Sequence, residues 1–402
     1  MRYDEGGNRL RLARLSDRGV KIWGAEQVWI AEDVHLEQIE PGAEIFQAVL
    51  SGSSTFIGRG ARIGVSGPAR ISDCQIGRDC QIGAGTYDGA TFLDGATIRG
   101  FAEVRAGTLM EEETEAAHSV AFKNTILTAT TITGSLINYC DIYMSGGTSR
   151  EDHSEVGSGA IHFNYDPRGD KWGSLIGDAT GVLLRKAPIF VGGNVGLVGP
   201  ISIGYGAVIA AGSIVRREVP SDCIYSEGSP GGVRVMEGFQ RTKYAGLRRK
   251  LSTTARLAGN YVALWNWYDQ VRRSCAAEYE ELLYTAAQRQ IESNLMERAK
   301  RIGKLIGKLP LSLRSTTSEA VEQEHRLLIA QRDGILEALN PSQKTAPAPP
   351  RVIDAYRQVR TNCGYVQGVQ TLPSDIAQEA ETWLANIAAT SERRLQNLLQ
   401  GA

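Results

Sequence analysis

Disulfide density, a strong charge of either sign and long apolar runs are all missing from this 402-residue sequence. Its six cysteines form no C-x-x-C pair, which excludes a disulfide scaffold and predicts reduced thiols. A formal net charge of −1 gives no general attraction to nucleic acid or to an acidic membrane. No stretch reaches the roughly 18 to 20 apolar residues of a membrane span, and the first residues lack a signal-peptide core. We therefore expect a cytoplasmic protein without a nucleic-acid or membrane partner.

The composition changes near residue 230. The sequence before this point is rich in Gly, Ile, Val, Thr and Ser, whereas Ala, Leu, Arg, Glu and Gln dominate after it. The Ser-, Gly- and Pro-containing stretch 226–232 lies at the change and has the composition of a linker. The sequence therefore predicts an N-terminal segment at 1–27, a repeat domain at 28–228 and an α-helical domain at 233–402. We expect a linker within the helical domain at about 340–350.

Aliphatic residues in the repeat domain recur every six positions. The clearest run is Val191, Leu197, Ile203, Ile209 and Val215. This period fits neither an amphipathic helix nor an alternating hairpin, but it fits a coil with three short, flat faces whose aliphatic side chains point inward. Stacked coils bury the apolar rows that a single coil cannot. The period lapses near 105–125 and 143–175, where we expect loops to leave the stack.

The C-terminal part has helical spacing instead. Apolar residues recur three and four positions apart from about residue 235, as in Leu257, Tyr261, Leu264 and Tyr268. We therefore expect an α-helical hairpin or bundle in which these rows serve packing.

The six-residue period resembles the left-handed parallel β-helix of the hexapeptide-repeat proteins. Within roughly 55–220 the chain also resembles the acetyltransferase domain of the bifunctional glucosamine-1-phosphate N-acetyltransferase/UDP-GlcNAc pyrophosphorylase family. Four stretches carry this resemblance: FAEVRAGT (101–108), AFKNT (121–125), FNYD with the later LIGD (163–178), and VGGNVGLVGPISIGYGAVIAAGSIV (191–215). The family's N-terminal nucleotidyltransferase domain has no counterpart here, so we do not expect pyrophosphorylase chemistry.

The resemblance implies a homotrimer that binds a sugar phosphate or nucleotide sugar between subunits and uses acetyl-CoA, with no required metal. It assigns seven residues to the substrate: Arg105, Lys123, Asn138, Tyr139, Asn164, Tyr165 and Lys171. Two fixed cations suit a phosphate, and an amide with a phenol suits sugar hydroxyls. The alternatives are that Arg105 and Lys123 are solvated surface charges and that Asn-Tyr-Asp is an ordinary turn.

The catalytic positions depart from the family pattern. Ser135 stands where the family has its catalytic histidine, and a serine is no base near neutral pH without an activator. His162 lies two positions before Asn164, so on a strand both would share one face. His162 is therefore our candidate base, with an ordinary surface histidine as the alternative. The histidines at 118, 153 and 162 lack the close pair that a zinc site uses.

The acyl-donor end departs as well. Gly193 and Ala211 fall at positions that bind the cofactor in the family. Ala211 is the family residue, whereas Gly193 stands where the family has a serine, and Gly228 stands where it has an arginine. An insertion at 179–188 could reshape the acyl-donor groove. Two functions stay open: an acetyltransferase with an unconventional base, and an inactive sugar-nucleotide-binding or scaffold protein whose helical domain recruits a partner protein.

Overall fold

The computed structural model describes residues 5–227, 243–314, 316–340, 347–361 and 363–400. It confirms a left-handed parallel β-helix followed by α-helices. In chain order the described strands are β1 (Lys21–Ile22), β2 (Val28–Ile30), β3 (Glu44–Ile45), β4 (Ala48–Ser51), β5 (Phe56–Ile57), β6 (Arg62–Ile63), β7 (Ala69–Ser72), β8 (Gln75–Ile76), β9 (Gln81–Ile82), β10 (Gly85–Asp88), β11 (Thr91–Phe92), β12 (Thr97–Gly100), β13 (Ala102–Val104), β14 (Leu109–Met110), β15 (Glu115–His118), β16 (Ala121–Leu127), β17 (Ile132–Thr133), β18 (Asn138–Met144), β19 (Glu155–Val156), β20 (Ile161–Phe163), β21 (Ser174–Ile176), β22 (Phe190–Val191), β23 (Gly196–Val198), β24 (Ser202–Ile203), β25 (Val208–Ile209), β26 (Ile214–Val215) and β27 (Ile224–Tyr225).

These strands form three faces of parallel pairs. Face 1 has the order β1-β3-β6-β9-β12-β15-β17-β19-β22-β25-β27. Face 2 contains β2-β4-β7-β10-β13, the first halves of β16 and β18, and then β20-β23-β26. Face 3 contains β5-β8-β11-β14, the second halves of β16 and β18, and then β21 and β24. The long strands β16 and β18 therefore cross the corner between face 2 and face 3.

The six-residue period sets the core. The predicted run Val191, Leu197, Ile203, Ile209 and Val215 is at most 1% exposed, with each residue directed into the coil. The lapse expected near 105–125 is wrong, because β14, β15 and β16 continue the coils there. The second expected lapse, 143–175, contains β19 and β20 between two excursions of the chain.

The described helices are α1 (Glu5–Asp17), α2 (Leu247–Asn266), α3 (Glu278–Ile306), α4 (Leu309–Leu313), α5 (Glu319–Ala330), α6 (Arg332–Leu339), α7 (Pro350–Arg360), α8 (Tyr365–Thr371) and α9 (Ser374–Gln400). A short π-helical turn, Trp267–Val271, extends α2, and 3₁₀ turns lie at Ala25–Gln27, Leu36–Gln38, Ala179–Leu183 and Arg272–Cys275. No helix among the described residues is both long and apolar enough to cross a membrane.

The helical half, α2 to α9, packs on face 3. Leu109, Ile126 and Leu175 of that face belong to the same buried apolar cluster as Leu251 and Leu264 of α2. Among the described residues, no helices of this half cover face 1 or face 2. The apolar helical rows thus serve packing, both within the helical half and against the β-helix.

The domain limits differ in part from those expected. The coil stack begins at Lys21, inside the segment 1–27, because Ile22 already takes an inward position and pairs with Ile45. The limits at 228 and 233 lie outside the described residues. So do 341–346 of the expected linker, while Pro350 already begins α7.

Candidate functional site

Two cations lie on successive coils where face 2 ends. The amide of Arg105 donates to the carbonyl of Phe122 at 2.9 Å, which places Arg105 beside Lys123. Lys123 in turn pairs in register with Cys140 of β18. Neighbouring strands lie about 4.8 Å apart, so the three residues form one short column. The Arg105 side chain is 44% exposed and contacts Glu103 at 3.5 Å.

A third cation, Lys171, lies in the excursion that follows β20, opposite Tyr165. Burial raises the pKa of the Cys140 thiol, and Asp141 acts in the same direction, whereas the charges of Arg105, Lys171 and Lys123 oppose the rise. Neither Lys123 nor Lys171 forms an ion pair with another described residue. The arrangement is therefore a cluster of three cations with free capacity for an anion. We call Arg105, Lys123 and Lys171 the cation cluster.

Asp141 lies behind the cation cluster at the corner between face 2 and face 3. It is 2% exposed, yet its Oδ1 accepts from the amide of Asn124 at 3.0 Å, and its Oδ2 accepts from that of Asn164 at 2.6 Å. Arg298 of α3 also donates to Oδ1. Burial opposes ionisation of Asp141, but Arg298 and the two amides outweigh it and hold its pKa below the ordinary value.

The residues after Asn164 form a small hairpin, which we call the 164–172 loop. The amide of Trp172 donates to the carbonyl of Asn164 at 2.8 Å and closes it. Inside it, Asp166 accepts from the amide of Arg168 at 2.9 Å and from the indole of Trp172 at 3.3 Å. Tyr165 and Lys171 lie opposite each other in this hairpin, where they form an isolated antiparallel β-bridge. The Tyr165 side chain is 62% exposed.

Two of the residues assigned to the substrate differ sharply in exposure. Asn138 is exposed at the start of β18, where a ligand can reach it. Tyr139 is fully buried inside the coil, so its assignment to the substrate is wrong. The six-residue period in the sequence predicts this burial, because Tyr139 comes six positions after Thr133, which is directed into the coil.

His162 is also directed into the coil. It is 4% exposed; its Nδ1 lies 2.6 Å from the Cys140 carbonyl and its Nε2 lies 2.8 Å from the Ser174 hydroxyl. These partners fix a neutral ring with its proton on Nδ1, and burial lowers the pKa of His162 to about 4. His162 therefore cannot act as the base for an incoming amine. His162 comes six positions after Val156, so the period directs its side chain into the coil, and it pairs in register with Leu197 of β23. The strand ends at Phe163, so alternation does not extend to Asn164.

The corner between face 1 and face 2 holds the remaining assigned positions. The Ser135 amide donates to the Ser158 hydroxyl at 3.1 Å, one coil further on, and the Gly212 amide to the Gly193 carbonyl at 2.8 Å. Ser135, Gly193 and the exposed Ala211 therefore follow one corner of the stack. Gly228 lies outside the described residues.

The insertion at 179–188 lies against the helical half. Its 3₁₀ turn, Ala179–Leu183, is fully buried, and the hydroxyl of Tyr365 donates to the Val182 carbonyl at 2.8 Å. Lys186 pairs with Glu381 of α9 at 2.9 Å. The insertion therefore serves as an attachment point for the helices.

Comparison with known proteins supports the assignment of the coils. The chain is 28% identical over 223 residues to the bifunctional protein GlmU of Carboxydothermus hydrogenoformans, which covers 56% of this chain and 45% of that protein. It is 30% identical over 200 residues to GlmU of Heliobacterium modesticaldum, covering 50% of this chain and 39% of that protein. The repeat domain is a GlmU-like hexapeptide-repeat domain.

The likeness has limits. The chain spans less than half the length of these GlmU proteins. No protein-family profile matches the chain. A solved structure, the UDP-N-acetylglucosamine acyltransferase from Campylobacter jejuni, overlaps with 77% of this chain and 94% of its own at 16% identity, but its TM-score is only 0.22. That overlap supports no further conclusion.

Proposed function

We propose that the GlmU-like domain binds an amino-sugar phosphate or a nucleotide sugar such as UDP-GlcNAc and acetylates an amino sugar with acetyl-CoA. The observation that carries this proposal is the cation cluster beside Asn164 and Tyr165. Arg105, Lys123 and Lys171 offer N–H donors to a phosphate, and the exposed Tyr165 and Asn138 offer polar groups to sugar hydroxyls. In the reaction, the amine attacks the thioester carbonyl, CoA leaves as the thiol, and a base takes the amine proton.

The uncovered faces favour a site shared between copies of the chain, with a homotrimer as the assembly. Exposed apolar side chains lie on face 1, where Phe190, Val208 and Ile224 pair in register, and on face 2 at Ile161 and Phe163. Apolar side chains in such a group become stable when a partner covers them. Because Ile161 and Phe163 lie next to the coils of the cation cluster, a copy that covers them would wall the site.

The base for this reaction is best supplied by His118. The amide of His118 lies 3.4 Å from the hydroxyl of Ser135, so the two residues occupy equivalent corner positions on successive coils. His118 is exposed, unlike His162. His118 lies at the corner between face 1 and face 2, whereas the cation cluster lies at the opposite end of face 2. His118 would therefore serve a substrate held on the cation cluster of a neighbouring copy.

A second function, sugar-nucleotide binding without catalysis, is favoured by Ser135 and by the enclosed His162. The scaffold version of this alternative needs a recruiting surface on the helical half. Met296 and Leu311 are the only large hydrophobic side chains exposed on the described part of that half. The helical surface therefore gives little support to recruitment of a partner protein.

Calorimetry with UDP-GlcNAc and acetyl-CoA, combined with an acetyl-transfer assay on glucosamine-1-phosphate, tests the proposal. Arg105→Gln and Lys123→Gln should each weaken UDP-GlcNAc binding, whereas Arg62→Gln, which removes a face 1 cation paired with Glu44, should not. Binding of UDP-GlcNAc without CoA binding or transfer would establish the non-catalytic function. Equal affinity in all three variants would refute the site.

A further inference from the structure

An arginine of the helical half reaches the β-helix next to the candidate site. Arg298 lies in α3, on the same helix face as Asn294 and Gln290, which come four and eight positions earlier respectively. Gln290 accepts from the Gly107 amide at 2.9 Å, and Asn294 donates to the Gly107 carbonyl at 2.8 Å. Helix α3 therefore runs along the corner between face 2 and face 3, and Arg298 is its contact with Asp141.

A single carboxylate connects Arg298 to Asn164. The side chains of Arg298 and Asp141 are 2% and 3% exposed, so their ion pair is shielded from water. The Oδ2 atom of Asp141 accepts from the Asn164 amide at 2.6 Å. Asn164 is the residue from which the 164–172 loop departs. The orientation of its side chain thus depends on an ionised Asp141.

Asp141 needs Arg298 to stay ionised. A buried carboxylate without a counter-charge takes up a proton, because burial penalises its charged form. Arg298 is the only guanidinium or ammonium that contacts Asp141 among the described residues. Removing it would favour the protonated acid, which offers fewer acceptor sites to the amides of Asn124 and Asn164.

Two more cations of the helical half hold the far side of the same loop. Lys308, which follows α3, contacts Asp170 at 2.8 Å and donates to the Arg168 carbonyl at 3.2 Å. Lys250 of α2 contacts Asp166 at 3.8 Å and lies 4.7 Å from the centre of the Trp172 ring. The loop is thus held at its start and along its length by the helical half.

We propose that Arg298 is a positioning residue for the candidate sugar site: through Asp141 it fixes Asn164 and the 164–172 loop in the conformation that binds the ligand. The role rests on the proposed function. It assigns the helical half a task within the site, namely to orient the loop that carries Tyr165 and Lys171.

The test compares Arg298→Met with Arg298→Lys and with Asn294→Ala. The alanine variant removes an equally buried contact of the same helix face without touching Asp141. UDP-GlcNAc affinity is measured by calorimetry, and amide hydrogen exchange of 164–172 is measured in the unliganded full chain. Arg298→Met should weaken binding about tenfold or more and speed exchange in the loop, because small misplacements of a positioned group are costly. Arg298→Lys should recover part of the loss, and Asn294→Ala should bind like the wild type.

If Arg298→Met does not fold, Arg298→Met combined with Asp141→Asn removes both buried charges together. That variant leaves one oxygen for the two amides that Asp141 served, so it should also show weaker binding and faster loop exchange. Wild-type affinity in the arginine variants, alongside lost binding in Arg105→Gln, would overturn the positioning role and leave the proposed function intact. If the wild type binds no UDP-GlcNAc, the proposed function fails. Independently of that result, an unchanged rate of amide hydrogen exchange in 164–172 of Arg298→Met would overturn the positioning role.

Discussion

Replacing Arg272 by methionine should destabilise the protein by about 3 to 5 kcal/mol at pH 7, because it breaks a buried ion pair between the two halves of the chain. The guanidinium is fully buried; it pairs with Glu112 and lies 3.7 Å from Glu111, two carboxylates on the β-helix side. Its carbon lies 3.8 to 4.5 Å from the ring centres of three tyrosines: Tyr268, Tyr284 and Tyr365.

The magnitude follows from the carboxylates left behind. Burial raises the pKa of Glu111 and Glu112, and Arg272 is the largest opposing influence on both. Without Arg272, a buried carboxyl would stay protonated. Holding one proton at pH 7, about 2.5 pH units above the ordinary pKa, costs about 3.4 kcal/mol at 1.36 kcal/mol per unit. A carboxyl whose pKa is raised by folding contributes stability at low pH and loses it as the pH rises. The deficit of the variant should therefore shrink at pH 5.

Urea unfolding at pH 7 and pH 5, followed by circular dichroism, measures both values. Arg301→Met is the matched control, since it removes a partly exposed pair with Glu297 within α3 and should cost less than about 1 kcal/mol. A loss below 1 kcal/mol for Arg272→Met at pH 7, or a deficit that is no smaller at pH 5, would refute the reasoning.

Two further predictions concern assembly and catalysis. Phe190→Asp should lower the molar mass measured by light scattering after gel filtration, because a charge on face 1 opposes burial against a second copy; an unchanged mass would exclude this surface as the interface. His118→Gln should lower kcat for acetyl transfer while leaving UDP-GlcNAc affinity within about twofold, since a base acts on the reaction and not on ligand binding. A normal kcat in that variant would assign the base elsewhere.

The coils could be predicted because they follow from local spacing, and the repeat also accounts for the placement of two cations that the resemblance assigned to the substrate. Arg105 and Lys123 are separated by one full coil, so the repeat itself places them side by side. The error at His162 arose from treating 161–165 as an ordinary strand, and the error at Tyr139 arose from assigning it as the neighbour of the family position at Asn138. Counting the period of six from Thr133 and Val156 places both residues inside the coil.

The part that the sequence did not reveal depends on contacts between distant residues. Asp141 and Arg298 are 157 positions apart, and nothing near either residue indicates that they meet. From the sequence alone, both the aspartate and the helical arginine would be expected on the solvent-exposed surface, where charged residues usually lie. Only the packing of α3 on the corner between face 2 and face 3 turns them into a buried pair.

This packing also decides where a ligand can enter. Among the described residues the helical half covers face 3, so face 1 and face 2 stay open to a neighbouring copy, and the cation cluster lies at the edge of face 2. Helix α3 passes over Gly107, two positions after Arg105. A phosphate on Arg105 and Lys123 would therefore lie between α3 on one side and open surface on the other. A second copy seated on Ile161 and Phe163 would close that open side.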